Sequence, residues 1–451
     1  MRRSADQKYA TTASPPPSPC RGPRPPPATP CHAIRPSTAR HTLVMAWSNK
    51  VDLAVVGGGP TGLAFAVAAA GAGAEVALID PVPWPDAIAP PFDGRVTAIA
   101  RASRYLLEGI GVWLAIETEA QPIVDIEVSE HASPSRVFYD HREVGVEPLG
   151  HIVENRAIRA GLIERAKALL GGALILALPD KVSGFERRPG HTFITLESGR
   201  TIEAGLVVGA DGRGSICRKQ AGIEVMRFAY EQTGIVATIA HQEPHHGLAV
   251  ERFFPDGPLA ILPMQGKRSS IVWAADNALA KTLIDLDDDD FLGELDERFD
   301  QRLGEIALVG PRFNYPLSMV QAKRYTDQRL ALIGDAARAI HPISGQGWNL
   351  ALRDVGALAE LTIDALRLGL DPGGRSVLER YERWRRFDSL ALIAITDGLN
   401  RLFANDFLPL KLARELGLGL VERTPPLKRF FMQHAMGLVG DLPRLMRGEE
   451  L

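Results

Sequence analysis

The residues of this sequence best suited to chemistry begin with a glycine-rich run, Gly57-Gly58-Gly59-Pro60-Thr61-Gly62, between an apolar, β-branched segment and an alanine-rich one. In the spacing Gly-x-Gly-x-x-Gly, Gly57 permits a tight turn, Gly59 lets a pyrophosphate approach the backbone, and Gly62 lets the following helix pack closely on the strand. The first turn of that helix offers free N–H groups and positive partial charge to phosphates. We therefore predict dinucleotide binding; the alternative is a turn whose glycines serve packing alone.

A carboxylate stands where such a site needs one. Asp80 ends the second predicted strand, 80 − 57 = 23 positions after Gly57. A carboxylate at this position accepts hydrogen bonds from the hydroxyl groups of the adenosine ribose. No basic residue follows Asp80 closely enough in the sequence to receive a 2′-phosphate, which argues against NADP at this site.

Two more motifs follow predicted buried strands. Gly209-Ala210-Asp211-Gly212-Arg213-Gly214-Ser215 comes after the segment 206–208, although Asp and Gly could also form an ordinary turn there. Gly334-Asp335-Ala336-Ala337 comes after the segment 330–333, and its small alanines permit close approach of a ligand. The turn Gly345-Gln346-Gly347 then opens a long predicted helix, whose positive end can lie against an anion.

Alternating strands and helices must position these motifs. The segments 51–56 and 75–79 are predicted strands on either side of a helix, which makes a βαβ unit of a parallel sheet. Between the second and third motifs, alternating patterns predict strands of a second sheet. These strands are Ile235–Ile239, Leu259–Leu262 and Ser270–Ala274.

Helices are predicted in the rest of the chain. The acidic run 287–290 is typical of a helix start, because carboxylates are favoured at the positive end of a helix. From Asn349 to the C-terminus the pattern is helical, with interruptions at Gly373-Gly374 and Pro425-Pro426. The apolar stretch 427–446 carries several basic residues and predicts either packing against the main body or docking on a membrane surface or a partner.

Composition excludes several classes of protein. The 451 residues are 45% hydrophobic and 23% charged, with a net charge of −3. This balance argues against a nucleic-acid partner, and no apolar run reaches the ~20 residues of a membrane span. Cys217 is the lone cysteine outside the N-terminal tail, which favours a reducing, cytoplasmic location, with peripheral association at a membrane left open. The eleven histidines show no pair at metal-ligand spacing within a helix, so no metal is expected.

Together the three motifs resemble the FAD-dependent aromatic hydroxylases typified by para-hydroxybenzoate hydroxylase. The run His341-Pro342-Ile343-Ser344-Gly345-Gln346-Gly347-Trp348-Asn349-Leu350, with Arg353-Asp354-Val355, resembles the branch that hydroxylates polyprenyl phenols in ubiquinone biosynthesis. The resemblance extends from about residue 50 to the C-terminus, with the motifs in the same order and spacing. Two positions depart from the pattern: Asp80 replaces the usual Glu, and Arg338 stands where many members have His.

The resemblance assigns residues to the cofactor. It implies that Asp335 binds the ribityl chain of FAD, that Pro342 and the turn Gly345-Gln346-Gly347 line the isoalloxazine ring, and that the Asp211 motif serves both FAD and transiently bound NAD(P)H. The complete predicted set is Gly57, Gly59, Pro60, Thr61, Gly62, Asp80, Arg95, Asn155, Asp211, Gly212, Gly334, Asp335, Ala336, Pro342, Gly345, Gln346, Gly347 and Asn349.

The activity that the resemblance implies is ring hydroxylation. NAD(P)H reduces FAD, and oxygen is transferred to a prenylated aromatic substrate through a flavin C4a-hydroperoxide. No catalytic acid or base is assigned, because the histidines at 241, 245 and 246 are expected to be exposed. Three alternatives stay open: a hydroxylase of a small soluble phenol, a flavin-dependent reductase of a prenyl chain, and a flavin-carrying subunit that scaffolds a biosynthetic complex.

The predicted fold is α/β, with a Rossmann-like FAD-binding domain interleaved with a smaller α+β substrate domain and followed by a helical region. The FAD-binding domain takes residues 45–120, 150–224 and 319–370; the substrate domain takes 121–149 and 225–318; the helical region is 371–451. Residues 1–44 are rich in proline and arginine and are expected to be disordered. This tail is either a compartment-targeting leader or sequence upstream of a true start at Met45.

A substrate pocket is expected under the second sheet. The strands between Glu251 and Ala275 would form its roof over the aromatic ring. Ordinary core packing explains its apolar side chains equally well. These side chains are Phe253, Phe254, Leu262, Pro263 and Trp273.

Overall fold

The computed structural model describes residues 49–84, 94–131, 136–340, 345–403 and 417–451, with the backbone alone for 390–403. The tail 1–44 and Pro342 lie outside these ranges, so the expectations for them stay predictions. No helix of the described ranges is both long enough and apolar enough to cross a membrane.

The strands and helices of the described residues are numbered in chain order. The strands are β1 (Lys50–Val56), β2 (Val76–Ile79), β3 (Val96–Ala100), β4 (Gln121–Ile123), β5 (Asp125–Glu130), β6 (Arg136–Asp140), β7 (Gly150–Glu154), β8 (Leu174–Ala177), β9 (Val182–Arg187), β10 (Thr192–Leu196), β11 (Thr201–Gly209), β12 (Val225–His241), β13 (Leu248–Phe254), β14 (Gly257–Met264), β15 (Arg268–Asp276), β16 (Ile306–Leu308), β17 (Phe313–Ala322), β18 (Thr326–Asp327), β19 (Leu330–Leu332) and β20 (Arg338–Ala339). The helices are α1 (Pro60–Gly71), α2 (Arg101–Gly109), α3 (Trp113–Ile116), α4 (Asn155–Lys167), α5 (Ile216–Gln220), α6 (Asn277–Asp285), α7 (Asp288–Arg298), α8 (Gly347–Arg367), α9 (Arg375–Phe403) and α10 (Pro425–Ala435).

The first sheet has the central order β18-β19-β11-β1-β2-β8. β1 pairs in parallel with both β11 and β2, and β11 pairs in parallel with β19. Strands buried on both faces read as continuous apolar runs, which is why β1 and the end of β11 were predictable. The carboxyl ends of β1, β11 and β19 lie at one edge, so the three motifs that follow these strands meet there. The predicted α/β architecture is confirmed.

The second sheet is mostly antiparallel, in the order β20-β17-β12-β15-β14-β13-β5-β6. Its three predicted strands are confirmed within β12, β14 and β15, each longer than predicted. One face, here the outer face, packs Leu259 and Trp273 against Phe291 and Leu295 of α7. α7 begins as expected after the acidic run, where the Asp287 carboxylate accepts from the N–H of Asp290 at 2.9 Å.

The opposite side of the second sheet, here the inner face, meets other elements. Ala249 of β13 and Met264 of β14 share an apolar cluster with Ile152 of β7, with Met432 of α10 and with Met436 just after α10. β7 belongs to a third, three-stranded sheet in the order β3-β7-β4. The inner face therefore lies against the three-stranded sheet and α10.

The C-terminal region departs from the predicted helical pattern after α10. Gly437 and Gly440 have φ of +72° and +96°, left-handed conformations that end a helix. The chain then forms a short 3₁₀ helix, Arg444–Arg447. The interruption predicted at Gly373-Gly374 is confirmed, because it separates α8 from α9. The boundaries of the predicted domains stay predictions.

Candidate functional site

At two positions of the glycine-rich turn, neighbouring backbone atoms leave no room for a side chain. Gly57 has φ of +111°, and a Cβ there would lie 2.4 Å from the carbonyl oxygen of Ala210. A Cβ on Gly62 would lie 1.9 Å from the carbonyl oxygen of Gly57. These two glycines allow β1, α1 and the end of β11 to pack against one another, so the first and second motifs are in contact.

The start of α1 faces open space. A Cβ on Gly59, the N-cap residue, would meet no atom within 4 Å, and no side chain caps the helix. A Cβ on Gly334 would lie 3.0 Å from Cγ2 of Thr61, so the third motif also borders this helix start. An uncapped helix N-terminus beside an open cradle is the arrangement that accommodates a phosphate group.

Asp80 lies directly beside the glycine-rich turn. Its Oδ2 accepts a hydrogen bond from the N–H of Gly58, and its Oδ1 accepts one from the N–H of Val82 at 2.8 Å. Each carboxylate oxygen has a second lone pair, so the side chain can still accept from a ligand hydroxyl. The predicted ribose contact is compatible with this geometry.

The two carboxylate oxygens of Asp211 have different hydrogen-bonding environments. Oδ2 accepts from the N–H groups of Ile216 at 2.6 Å and Cys217 at 3.1 Å, which orients the start of α5. Oδ1 is buried and has no hydrogen-bond partner among the described residues. A buried acceptor without a donor is costly, so this atom fits a cofactor or nicotinamide group that supplies one. Gly212 follows in a left-handed conformation, with φ of +72°.

Asp335 stands on the other side of the same edge, in a cleft between the third motif and the start of α8. Its side chain is 52% exposed, and Oδ2 lies 3.4 Å from Nε of Arg213. An ion pair this exposed contributes little stability, so ligand hydroxyls can replace Arg213 at low cost. The cleft is lined by Gly334, Asp335, Arg338, Ile340, Gly347, Leu350 and Ala351.

Asn349 and Asn155 connect β3 to its surroundings. The side-chain amide of Asn349 donates to the carbonyl of Ala98 at 2.9 Å and accepts from the N–H of Ala100 at 2.9 Å. Asn155 donates its N–H to the carbonyl of Arg95 at 3.0 Å. Asn349 therefore holds β3 beside the turn 345–347, and Asn155 fixes the residue before β3 at the start of α4. A direct contact of either asparagine with the cofactor stays a prediction.

A buried ionic cluster lies behind the cleft and was not predicted from the sequence. The Asp354 carboxylate is fully buried and accepts from Gly334 N at 3.0 Å, from both terminal nitrogens of Arg338 at 2.8 Å, and from Nε of Arg385 at 2.8 Å. Burial alone would lower the pKa of Arg338, but the charge of Asp354 outweighs it and raises that pKa. Asp388 completes the cluster by accepting from Arg385 at 2.7 Å. The sequence did contain a signal for this cluster, because Asp354 belongs to the run that carries the family resemblance. Arg338 was noted only as a departure from the family pattern.

The histidines of the second sheet are not uniformly exposed. The prediction is wrong for His241, which is buried: its Nδ1 lies 2.7 Å from the Glu243 carbonyl and its Nε2 lies 3.1 Å from Oγ of Ser269. Burial also lowers the pKa of His241. His246 is exposed as expected, whereas His245 is partly buried. Pairing of β12 with both β15 and β16 encloses His241, and sequence alone does not reveal those partners.

The apolar side chains proposed for a pocket divide between the two faces of the second sheet. Phe254 and Trp273 belong to the apolar cluster of the outer face, so core packing explains them. Leu262 packs against the inner-face cluster.

The stretch 427–446 packs largely against the main body. Met432 of α10 is buried, and Nζ of Lys428 lies 2.9 Å from Glu143 and 3.2 Å from Glu422. Phe430 remains about half exposed, at 48%. Docking of this surface on a membrane or a partner stays a prediction.

Comparison with known proteins agrees with this geometry. Residues 50–393 match the family model of the FAD binding domain. The chain is 47% identical over 403 residues to the ubiquinone hydroxylase UbiL of Rhodospirillum rubrum, covering 89% of this chain and 93% of that protein. It is 33% identical over 391 residues to the 3-demethoxyubiquinol 3-hydroxylase of Escherichia coli, covering 86% and 98%. The solved structure of p-nitrophenol 4-monooxygenase PnpA from Pseudomonas putida has the same fold, with a TM-score of 0.71 at 18% identity over 87% of this chain and 99% of PnpA.

Proposed function

This chain belongs to the FAD binding domain family, and we propose that within it the chain hydroxylates the aromatic ring of a polyprenyl phenol on the route to ubiquinone. It is an FAD-dependent monooxygenase that consumes NAD(P)H and molecular oxygen. The observation that carries the proposal is the meeting of three motifs at one sheet edge, in a chain that aligns along most of its length with ubiquinone hydroxylases.

We propose the following roles for FAD and for the residues of the site. FAD, when bound, supplies the redox and oxygen chemistry. The start of α1 would hold the pyrophosphate, Asp80 the adenosine ribose, and Asp335 the ribityl hydroxyls. The turn 345–347 would lie along the isoalloxazine ring, where the positive end of α8 favours negative charge by ~1 kcal/mol. Asn349 would act indirectly, because its amide fixes β3 against this turn.

Asp335→Ala is expected to weaken FAD binding by about ten- to a hundred-fold while the protein stays folded, because a buried ribityl hydroxyl without its acceptor costs ~1–3 kcal/mol. The flavin absorbance of purified protein and FAD titration of the apoprotein measure the loss. Asp364→Ala is the matched control, since Asp364 is also a half-exposed aspartate paired with one arginine, Arg444. Full FAD occupancy in Asp335→Ala would contradict the assignment of the third motif.

Removing the prenyl chain from the substrate is expected to raise the apparent KM by several hundred-fold. Each buried methylene contributes ~0.8 kcal/mol, so one five-carbon unit contributes on the order of 3–4 kcal/mol before ordering costs. A poorly held ring should also uncouple the reaction, so that NAD(P)H oxidation yields hydrogen peroxide in place of product. The measurement compares a prenylated phenol with its chain-free analogue for NAD(P)H consumed, product formed and peroxide released.

Each alternative has a distinct outcome in that experiment. Equal efficiency and tight coupling on both phenols would identify a small soluble phenol as the substrate. Saturation of the prenyl chain without oxygen uptake would identify a reductase. Absence of NAD(P)H oxidation with every phenol would favour a flavin-carrying scaffold. Association with a membrane or with other enzymes of the route stays a prediction.

A further inference from the structure

One carboxylate interrupts an apolar row on the inner face of the second sheet. Glu251 of β13 lies opposite Ala260 of β14 on one side and opposite Val128 of β5 on the other. Ala260 in turn lies opposite Val272 of β15. Because side chains alternate along a strand, Glu251 shares the face of Ala249, which packs in the inner-face cluster.

The carboxylate of Glu251 has no oppositely charged partner in the part of the chain that the structure describes. Among the described residues, none offers it a hydrogen bond or an ion pair. Glu251 is partly exposed to solvent, and desolvation by the protein around it raises the pKa of Glu251 to about 8. An unpaired carboxylate in such surroundings is costly to the fold, which points to a role outside structure.

The inner face borders the space beside the predicted isoalloxazine turn. β14 lies against β4 and β7, and the side chain of Gln265 donates to the carbonyl of Ala120 at 3.0 Å. A Cβ on Gly94, just before β3, would lie 3.3 Å from Oγ1 of Thr238, which is on the inner face of β12. A Cβ on Gly345 would lie 3.2 Å from the Cβ of Ala98, the β3 residue whose carbonyl binds Asn349. The inner face and the turn 345–347 therefore contact the same neighbouring element, β3 with the residues just before it.

We propose that Glu251 is the general base that accepts the phenol proton of the substrate during hydroxylation; this rests on the proposed function. The phenol O–H bond breaks, the proton moves to a carboxylate oxygen of Glu251, and the electron pair stays on the phenolate oxygen. That pair increases electron density at the ring carbon that forms the new bond to oxygen, the oxygen coming from O₂ with NAD(P)H as reductant. The ring then loses its proton to water as the oxygen recovers one from Glu251, which restores the carboxylate.

A base serves best when its pKa lies near the working pH, and Glu251 meets this condition. Other ionisable groups face the same region from neighbouring elements, and none of them contributes to the raised pKa, whose cause is burial alone. Burial also raises the pKa of Tyr139 to about 12, which leaves that phenol protonated and unsuited to the task. The facing groups are Glu130 on β5, Tyr139 on β6, Glu154 on β7, Arg268 on β15 and Tyr315 on β17.

The test compares Glu251→Gln, Glu251→Asp and the control Glu130→Gln in the FAD-loaded protein, with 2-prenylphenol as the probe. Glu251→Gln should lower the rate of hydroxylation by about 10²–10⁴-fold, and Glu251→Asp should recover part of it. Glu130→Gln replaces a carboxylate on the same face of the adjacent strand and should retain the wild-type rate.

Two readouts are independent of turnover. Ultraviolet difference spectra of bound 2-prenylphenol should show the phenolate appearing at lower pH in Glu251→Gln than in wild type, because the variant removes a negative charge beside the phenolate. Thermal unfolding should show a second effect: the folded state prefers protonated Glu251, so wild-type stability is lost as pH rises from about 4.5 toward about 8. Glu251→Gln should therefore melt above wild type at pH 9 and lose this advantage at pH 5.

Opposite results overturn the proposal. A Glu251→Gln rate within twofold of wild type, or a large loss in Glu130→Gln with none in Glu251→Gln, removes Glu251 as the base. An unchanged phenolate spectrum has the same meaning. If the wild-type protein hydroxylates no prenylated phenol, the proposed function has failed, and the role of Glu251 falls with it; that failure appears in the wild type rather than in the variants.

Discussion

Asp354→Ala is expected to lower the melting temperature by roughly 6–20 °C and to give protein that no longer retains FAD. Removing one partner of a buried ion pair costs ~3–5 kcal/mol, because the remaining charge stays buried without compensation. Here two guanidinium groups are affected, since Arg338 and Arg385 both donate to the Asp354 carboxylate. The same carboxylate fixes the N–H of Gly334, so the third motif would lose its support as well.

Thermal unfolding and the release of flavin fluorescence measure both effects. Adding Arg338→Met to Asp354→Ala removes one stranded charge and should restore part of the stability, a coupling that a double-mutant cycle quantifies. Asp364→Ala, on the same helix with a half-exposed side chain, should change stability by less than about 1 kcal/mol. A melting temperature for Asp354→Ala close to that of wild type would show that the cluster does not hold the site together.

Gly62→Ala is the second substitution expected to abolish cofactor binding. Its Cβ would lie 1.9 Å from the Gly57 carbonyl oxygen, a backbone atom that cannot rotate away as a flexible side chain can. α1 must then move away from β1, which displaces the helix start from the phosphate position and costs ~1–3 kcal/mol of packing. We expect purified Gly62→Ala to be colourless and to bind added FAD at least a hundred-fold more weakly.

The control is the same substitution at a helical glycine with room for it. A Cβ on Gly293, an exposed residue of α7, would meet nothing within 4 Å. Gly293→Ala should stabilise the protein by up to ~1 kcal/mol and leave FAD binding unchanged. Normal flavin content in Gly62→Ala would mean that the turn is not the phosphate site.

Sequence reasoning located the three motifs because local rules determine them. A buried parallel strand is a continuous apolar run, and the loops after such strands gather at one edge of the sheet. Gly62 was predictable for the same reason, since its spacing from Gly57 fixes the contact between helix and strand. These features depend on residues close together in the chain.

Features that depend on distant partners were not predictable. His241 is buried by β16, more than 60 residues later in the sequence. Asn349 binds the backbone of Ala98, a separation of 251 residues, so its amide could not be assigned to β3 in advance. The face on which Trp273 lies follows from its register with Leu259, which the alternation of a single strand leaves undetermined.

The order of the strands along the chain determines when the parallel sheet that carries the motifs can be completed during synthesis on the ribosome. β1 ends at Val56, and β19 begins at Leu330, 330 − 56 = 274 residues later. At typical elongation rates this interval lasts roughly 14–55 s, during which the nascent chain has β2 beside β1 but cannot complete the edge where the cofactor is to bind. Flavin therefore cannot assist the early stages of folding, and exposed strand edges must be protected until β11 and β19 have emerged.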